Sequence, residues 1–361
     1  MLIWPYPASV VDDDGELVIE GPAQVFADRP AAEREAHRLV GELNRSGVVA
    51  FLADPANKPT PAIELSVEQT DSTAEDGESY RLDVSADGVM LVGGGKAGLA
   101  HAVTTLLQLV SQHAGDGAEP TPLRLPAVRI EDRPRFAWRG MHLDIARHFF
   151  DVASIKRYVD WLAYHKLNVL HLHLTDDQGW RFESHRFPEL TEVGSWRART
   201  DEPRRGEPAD ESAYGGYLTQ DDCREIVAYA EARHVTVVPE IDVPDHAKAV
   251  LAAYPQLGCE PGPHEVWTQW GISEDVLCAG RDESLEWLKQ VLEEVLEVFP
   301  SPCVHVGGDE VPKTRWRSCA ACQRRIQAEG LADEEALQGW FISRVGRFLA
   351  ERGRRMVVSV S

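Results

Sequence analysis

The alternation of hydrophobic and polar positions along this chain changes period near residue 128. Before that point short two-residue repeats dominate. Leu17-Val-Ile-Glu-Gly21, Ile63-Glu-Leu-Ser-Val67 and Tyr80-Arg-Leu-Asp-Val84 read as strands, because side chains two apart share one face of a pleated backbone. Ser85-Ala-Asp-Gly88 has the composition of a turn and leads into Val89-Met-Leu-Val92, which predicts a hairpin. Residues 31–43 and 99–110 carry helical spacing, the second placing Ala102, Leu106, Leu107 and Val110 on one face. The proline-rich stretch from Pro120 to Pro126 reads as a linker. This pattern predicts a separate α+β domain over residues 1–127.

From Val128 onward the pattern becomes strand, helix, strand, helix. Phe136 to Ile145 predicts a first strand, followed by a helix capped by Ser154 in which Ile155, Tyr158, Val159, Leu162 and Ala163 recur at intervals of three and four. Asn168 to Thr175 is a second strand, and a helix over residues 220–233 leads to a third strand, Val235 to Val243. A helix from Glu283 to Val298 precedes the short apolar run Pro302-Cys-Val-His-Val306. A last helix begins acidic at Asp333-Glu-Glu335, ends basic at Arg352-Gly-Arg-Arg355, and aligns Leu337, Phe341, Val345 and Leu349. Repeated βα units imply a parallel sheet, closed or doubly wound, over residues 128–361.

Composition narrows the partners. With 37 basic against 59 acidic side chains the formal charge is -22, which excludes nucleic acid and an anionic membrane surface, since both demand a basic face. No run approaches the length of a membrane span, and Met1-Leu-Ile-Trp-Pro-Tyr6 has neither the charged start nor the apolar stretch of a secretion signal, so the expectation is a cytoplasmic protein. Six cysteines do not make a disulfide scaffold in a chain this long. Cys319-Ala-Ala-Cys322 has the spacing of half a zinc site, but no second such pair follows and it reads as an incidental thiol pair. Cys259 and Cys278 bracket one long loop and could staple it.

The chemistry gathers at strand ends. Arg147-His148, Asp176-Asp177, Glu240, Asp242, His246 and Asp309-Glu310 each follow a predicted strand, and in a barrel those ends open onto one mouth. Taken singly, each has a plain structural explanation as a surface ion pair, a turn acid or a loop histidine; four clusters at successive strand ends do not. Asp309 and Glu310, directly after Gly307-Gly308, suit general acid–base work. The pair His171 and His173 with Asp176, Asp177 and His246 nearby raises an alternative, a metal-dependent barrel hydrolase, which metal at stoichiometry would favour.

Arg147-His-Phe-Phe150 preceded by Arg139-Gly140, His171-Leu-His-Leu-Thr-Asp-Asp-Gln-Gly-Trp180, Pro239-Glu-Ile-Asp-Val-Pro-Asp-His246 and His305-Val-Gly-Gly-Asp-Glu310, in this order, resemble the family 20 glycoside hydrolases, the exo-acting β-N-acetylhexosaminidases. The first domain also looks like that family's accessory α+β domain, so the resemblance covers essentially the whole chain. It implies a TIM-type (β/α)8 barrel, no cofactor and no metal, and as partner an oligosaccharide or glycoconjugate ending in N-acetylhexosamine, chitin-derived or otherwise. It further implies a retaining mechanism in which the substrate's own acetamide oxygen is the nucleophile. Carried onto this sequence, Glu310 is the general acid and base and Asp309 holds the acetamide. His246 and Asp176 support Glu310, Arg147 grips sugar hydroxyls, and Asp242 orients His246 or lines the pocket. Two departures stand out. Asp245 occupies the place of a glycine before the histidine, and Asp accepts left-handed backbone less freely. Met356-Val-Val-Ser-Val-Ser361 reads as about the fifth strand of a barrel that needs eight. A barrel cut off there lacks most of the sugar pocket, so the 361-residue chain alone is expected to hydrolyse little or nothing, and a noncatalytic sugar-binding relative is a second alternative.

Overall fold

The computed structural model describes residues 2–54, 60–68, 77–113, 122–201 and 209–359. Their contacts divide the chain into two compact units, Met1–Arg139 with Trp161–Asn168, and Gly140–Asp160 with Val169–Ser361. Among the described residues no helix is long and apolar enough to cross a membrane.

The first unit is a seven-stranded mixed sheet in the spatial order Ser9–Ile19, Leu123–Asp132, Tyr80–Ser85, Gly88–Gly93, Ala62–Val67, Ala23–Ala27, Ala50–Leu52. The expected hairpin is present, with Ser85 opposite Gly88. Helices Glu33–Arg45 and Lys96–His113 bury Ala36, Leu39 and Leu43, and Leu99, Ala102, Leu106 and Val110, in the same apolar core as the sheet. Leu107, expected on that face, packs at its margin. The proline-rich stretch behaves otherwise than expected. Residues 120 and 121 lie outside the described residues, but from Leu123 the chain is a strand paired with Ser9–Ile19, and from Val128 also with Tyr80–Ser85, so the expected 127/128 boundary falls inside it. Pro126 is tolerated because it stands opposite Glu16, where the register of the neighbouring strand shifts and a ladder N–H is dispensable.

The second unit contains five parallel strands, Gly140–Asp144, Val169–His173, Thr236–Glu240, Cys303–His305 and Arg355–Val357, side by side in chain order. This is the arc of a TIM-type barrel, not closed by the strands described. The three inner strands are short and buried, while Gly140–Asp144 and Arg355–Val357 at the two edges of the arc are largely open. Helices pack with them through Ile155 and Val159, Cys223 and Ile226, Leu288, Val291 and Leu292, and the predicted row Leu337, Phe341, Val345 and Leu349, all of which are buried. Caps fix where these helices begin. Thr219 and Asp222 form a reciprocal capping box, and Asp333 accepts from the Ala336 amide at 2.9 Å, each cap contributing about 1 kcal/mol. The helix expected to start at Ser154 is capped instead by Asp151, whose carboxylate accepts from the Ser154 amide at 2.8 Å. Asp and Ser both suit the position, and spacing alone could not separate them.

The turn after the fourth barrel strand sets the position of the acids that follow. Gly307 has φ +60°, and a Cβ there would lie 1.7 Å from the Asp242 carboxylate arriving from the third strand. Gly308 also has positive φ, +88°. Only glycine satisfies both the backbone and the space at 307. Gly307→Ala is therefore expected to destabilise the second unit by about 2 kcal/mol or more, read as a lowered denaturant midpoint of the whole protein. An unchanged midpoint would show that Asp242 can move aside at no cost.

Candidate active site

Register explains why residues distant in the chain meet. Asp144 lies abreast of His173, His173 of Glu240, and Glu240 of His305, so four strands end level with one another. Each then turns into the loop that carries the predicted groups.

A line of charged contacts runs across those loops. The Asp144 carboxylate accepts from the amides of Ala146 and Arg147 at 2.9 and 3.0 Å, folding the loop back on itself. Arg147 reaches Asp144 at 3.0 Å and Asp176 at 2.6 Å through its two terminal nitrogens. Its Nε is buried without a partner among the described residues. Asp176 faces His246 Nδ1 at 3.1 Å, and His246 Nε2 lies 3.5 Å from a carboxylate oxygen of Glu310, at ion-pair distance. The Glu310 side chain is half exposed, so the line runs from a buried centre to an open rim. Both ends involve strained backbone: His246 has φ +47° and Glu310 φ +54°. Left-handed conformations at non-glycine residues cost on the order of 1 kcal/mol each and concentrate at functional sites. The left-handed residue is thus His246 itself, not Asp245.

Electrostatics hold this line charged. Burial alone would push the Asp176 carboxyl up, yet hydrogen bonds from His173 and His246 and the charge of Arg147 keep it well below the usual carboxylate range. Burial lowers His246, but Asp176 and Asp177 outweigh it and carry the imidazole up to about 12. An imidazolium donates from both ring nitrogens, which is what acids on both sides require. Asp242 and Asp245 behave oppositely. Burial, with the charge of Asp245, raises Asp242 well above the usual range, and burial raises Asp245 to about 7. Asp245 lies 3.3 Å from His246 Nε2 but is not aligned for a hydrogen bond, and both its oxygens lack one.

Beneath the line sits Glu240, ringed by His142 at 3.7 Å, His171 at 2.7 Å, His173 at 2.6 Å and His305 at 2.8 Å. Burial raises its carboxyl, and the four histidines together hold it far below the usual range. His173 also meets Asp176 at 2.8 Å and is carried up to about 10 against the effect of burial. With Nδ1–H directed at Glu240 and Nε2–H at Asp176, His173 has no lone pair for a metal, and the Arg147 nitrogen 3.2 Å away is a neighbour, not a hydrogen-bond partner. That occupancy bears on His173 alone; His171, Glu240 and His305 still lie close enough together to share an ion.

The structure therefore brings Arg147, Asp176, His246 and Glu310 into one chain of contacts. Asp309 stands beside Glu310, half-buried, its charge helping to push Asp245 up. Asp242 does not hydrogen-bond His246: its amide donates to Thr175 at 2.9 Å and its Oδ1 has no partner. Two supporting residues carry no role in the motif reading. Asp177 accepts from the amides of Lys248 and Ser273 at 3.0 and 3.2 Å and so ties down the loop that carries His246. Arg181, fully buried and lowered to about 10 by burial, donates to the carbonyls of Ala146, Ser195 and Gly216, bracing the loop of Arg147. Asp177 is adjacent to a motif acid, a signal available in the sequence; Arg181 has none. Of the loop tryptophans, Trp267 is half-buried under Lys248, and Trp270 is 57% exposed.

Comparison with known proteins identifies the family. The family model described as glycosyl hydrolase family 20, catalytic domain, matches residues 136–359, and that described as glycosyl hydrolase family 20, domain 2, matches residues 1–133. The chain is 36% identical to a beta-hexosaminidase of Porphyromonas gingivalis over 98% of its own length and 44% of that protein's. It is also 36% identical to a beta-hexosaminidase of Vibrio furnissii, over 98% of this chain and 56% of the relative. Among solved structures, the family 20 exo-β-N-acetylglucosaminidase of Vibrio harveyi in complex with N-acetylglucosamine superposes with a TM-score of 0.84 at 34% identity, covering 99% of this chain and 54% of that one. The N-acetyl-β-hexosaminidase of Streptomyces plicatus gives 0.80 at 33% identity, over 99% and 65% respectively. The chain thus spans about half the length of the curated relatives it matches. Matched in both its units and nearly end to end, the chain belongs to glycosyl hydrolase family 20.

Proposed function

We propose that this chain carries the acid-bearing part of a β-N-acetylhexosaminidase, which releases terminal N-acetylhexosamine from the non-reducing end of glycans with retention at the anomeric carbon. The observation that carries the reading is the unbroken line Arg147, Asp176, His246, Glu310 at the ends of four successive parallel strands. The names of the relatives support the same substrate class.

Adjacent carboxylates on one loop cannot flank a sugar ring from opposite faces, as paired-carboxylate glycosidases require, so they divide other tasks. Glu310, at the open rim, protonates the departing glycosidic oxygen as the substrate's acetamide oxygen attacks the anomeric carbon. The same carboxylate then takes a proton from the water that opens the cyclic intermediate, restoring the acetamide and the acid. Asp309 accepts the acetamide N–H and makes its oxygen a better nucleophile. His246, held as an imidazolium by Asp176, positions the Glu310 carboxyl from 3.5 Å with its Nε2–H, which can face a carboxyl oxygen in either protonation state. Arg147, anchored by Asp144 and Asp176, turns the remaining N–H donors of its terminal nitrogens to the sugar hydroxyls.

In the whole protein, Glu310→Gln is expected to reduce turnover of substrates with poor leaving groups by on the order of 10²–10⁴-fold, with a much smaller effect on aryl glycosides whose leaving group needs no proton. Full activity on both substrate types would remove Glu310 from the acid role. For Asp309→Ala the expected loss is roughly a hundredfold or more in kcat on either substrate type, because acetamide assistance is needed whatever departs. Unchanged rates would refute its part.

A further inference from the structure

Four of the six cysteines converge at a place that plays no part in the proposed chemistry. Cys259 follows the turn Pro255–Leu257, Cys278 lies nineteen residues on in the same long loop, and Cys319 and Cys322 open the helix Ala320–Glu329. All are unbonded thiols whose sulfurs lie within 4.8 Å of one another. Cys259 to Cys322 is 3.8 Å, Cys278 to Cys319 is 3.7 Å and Cys278 to Cys322 is 3.7 Å. A disulfide needs about 2.05 Å. Four sulfurs at about 2.3 Å from a tetrahedral zinc are separated by roughly 3.8 Å, which is the spacing seen here. Cys278 contacts two different cysteines equally well, a geometry that suits a shared central atom and not a pair.

We propose that Cys259, Cys278, Cys319 and Cys322 form a structural zinc site. The surroundings fit thiolate ligands. The Gly280 amide hydrogen-bonds toward the Cys278 sulfur, and the helix N-terminus at Cys319 and Cys322 favours negative charge. Position 280 must be glycine, because a Cβ there would lie 2.3 Å from the Cys322 amide nitrogen. Loop and helix are already fitted together: the Cys278 backbone amide donates to the Leu257 carbonyl at 2.8 Å and Trp316 Nε1 to the Leu277 carbonyl at 2.9 Å. Cys259 is half-buried and lines, with Cys319, a cleft of about 720 Å³ that gives a cation access. The pairing of Cys259 with Cys278 alone, open from the sequence, is replaced by a four-way cluster that includes the supposedly incidental Cys319 and Cys322.

The site joins the loop that carries His246 to the helices that begin just after Glu310. Its role is to lock together a loop and a helix that already pack against each other through Trp316 and Leu277, and it does not depend on the identity of the sugar. The whole protein, purified without chelator under reducing conditions, is expected to contain one zinc per chain by elemental analysis and to lose it in C319S/C322S, with a lowered thermal midpoint. Should that variant fail to fold, cobalt exchanged into the unaltered protein is expected to show the intense thiolate-to-metal charge-transfer absorption of four-sulfur coordination. Unaltered protein with no bound metal and four titratable thiols, or with two disulfides by mass, would overturn the proposal.

Discussion

The constraint on which the second unit rests is the cost of bringing many charges out of water at one end of a parallel sheet. Strand ends that lie level deliver Asp144, His173, Glu240 and His305 to one layer, and the loops above add Arg147, Asp176, Asp177, Asp242, Asp245 and His246. An isolated buried carboxylate costs several kcal/mol. The structure answers by pairing: Glu240 with histidines from three other strands, Asp176 with Arg147, His173 and His246, Arg181 with backbone carbonyls. Where pairing fails, as at Asp242, burial favours the protonated carboxyl instead. Charge and neutrality are thus distributed by geometry, and the strain at His246 and Glu310 is carried by a network that over-determines their positions.

Much of this was legible in the sequence because it is written in local patterns. The hairpin turn at Ser85–Gly88, the row Leu337, Phe341, Val345 and Leu349, and the five short barrel strands each follow from periodicity and turn residues within one segment. Arg147, Asp176, His246 and Glu310 could be gathered because each directly follows such a strand. What escaped depends on partners in other segments. The stretch from Pro120 to Pro126 looked like a linker, since nothing in a proline-rich segment announces a shift in register on a strand more than a hundred residues earlier. The fully buried Arg181 has no sequence signature at all, because its partners are carbonyl oxygens. Asp245 drew attention as the departure from glycine, while the left-handed backbone belongs to His246.

The cysteines show the same limit. Cys319 and Cys322 advertise themselves by spacing, but Cys259 and Cys278 come from a loop whose path is set by the antiparallel bridge between Gly258 and Leu277. Only the folded chain shows that the two pairs meet. Their meeting place also lies on the route between the loop of His246 and the loop of Glu310, so the precision of the charged line and the rigidity of the loops that bear it are parts of one design problem.

The central claim is that His246 stands as a permanently charged imidazolium between Asp176 and Glu310. Nitrogen NMR of histidine-labelled protein, with the ring assigned through a His246→Asn variant, tests it most directly. Both ring nitrogens of His246 are expected to stay protonated from about pH 5 to about pH 9, far above the ordinary imidazole value of about 6.5. A ring that loses its proton near that ordinary value would contradict the account.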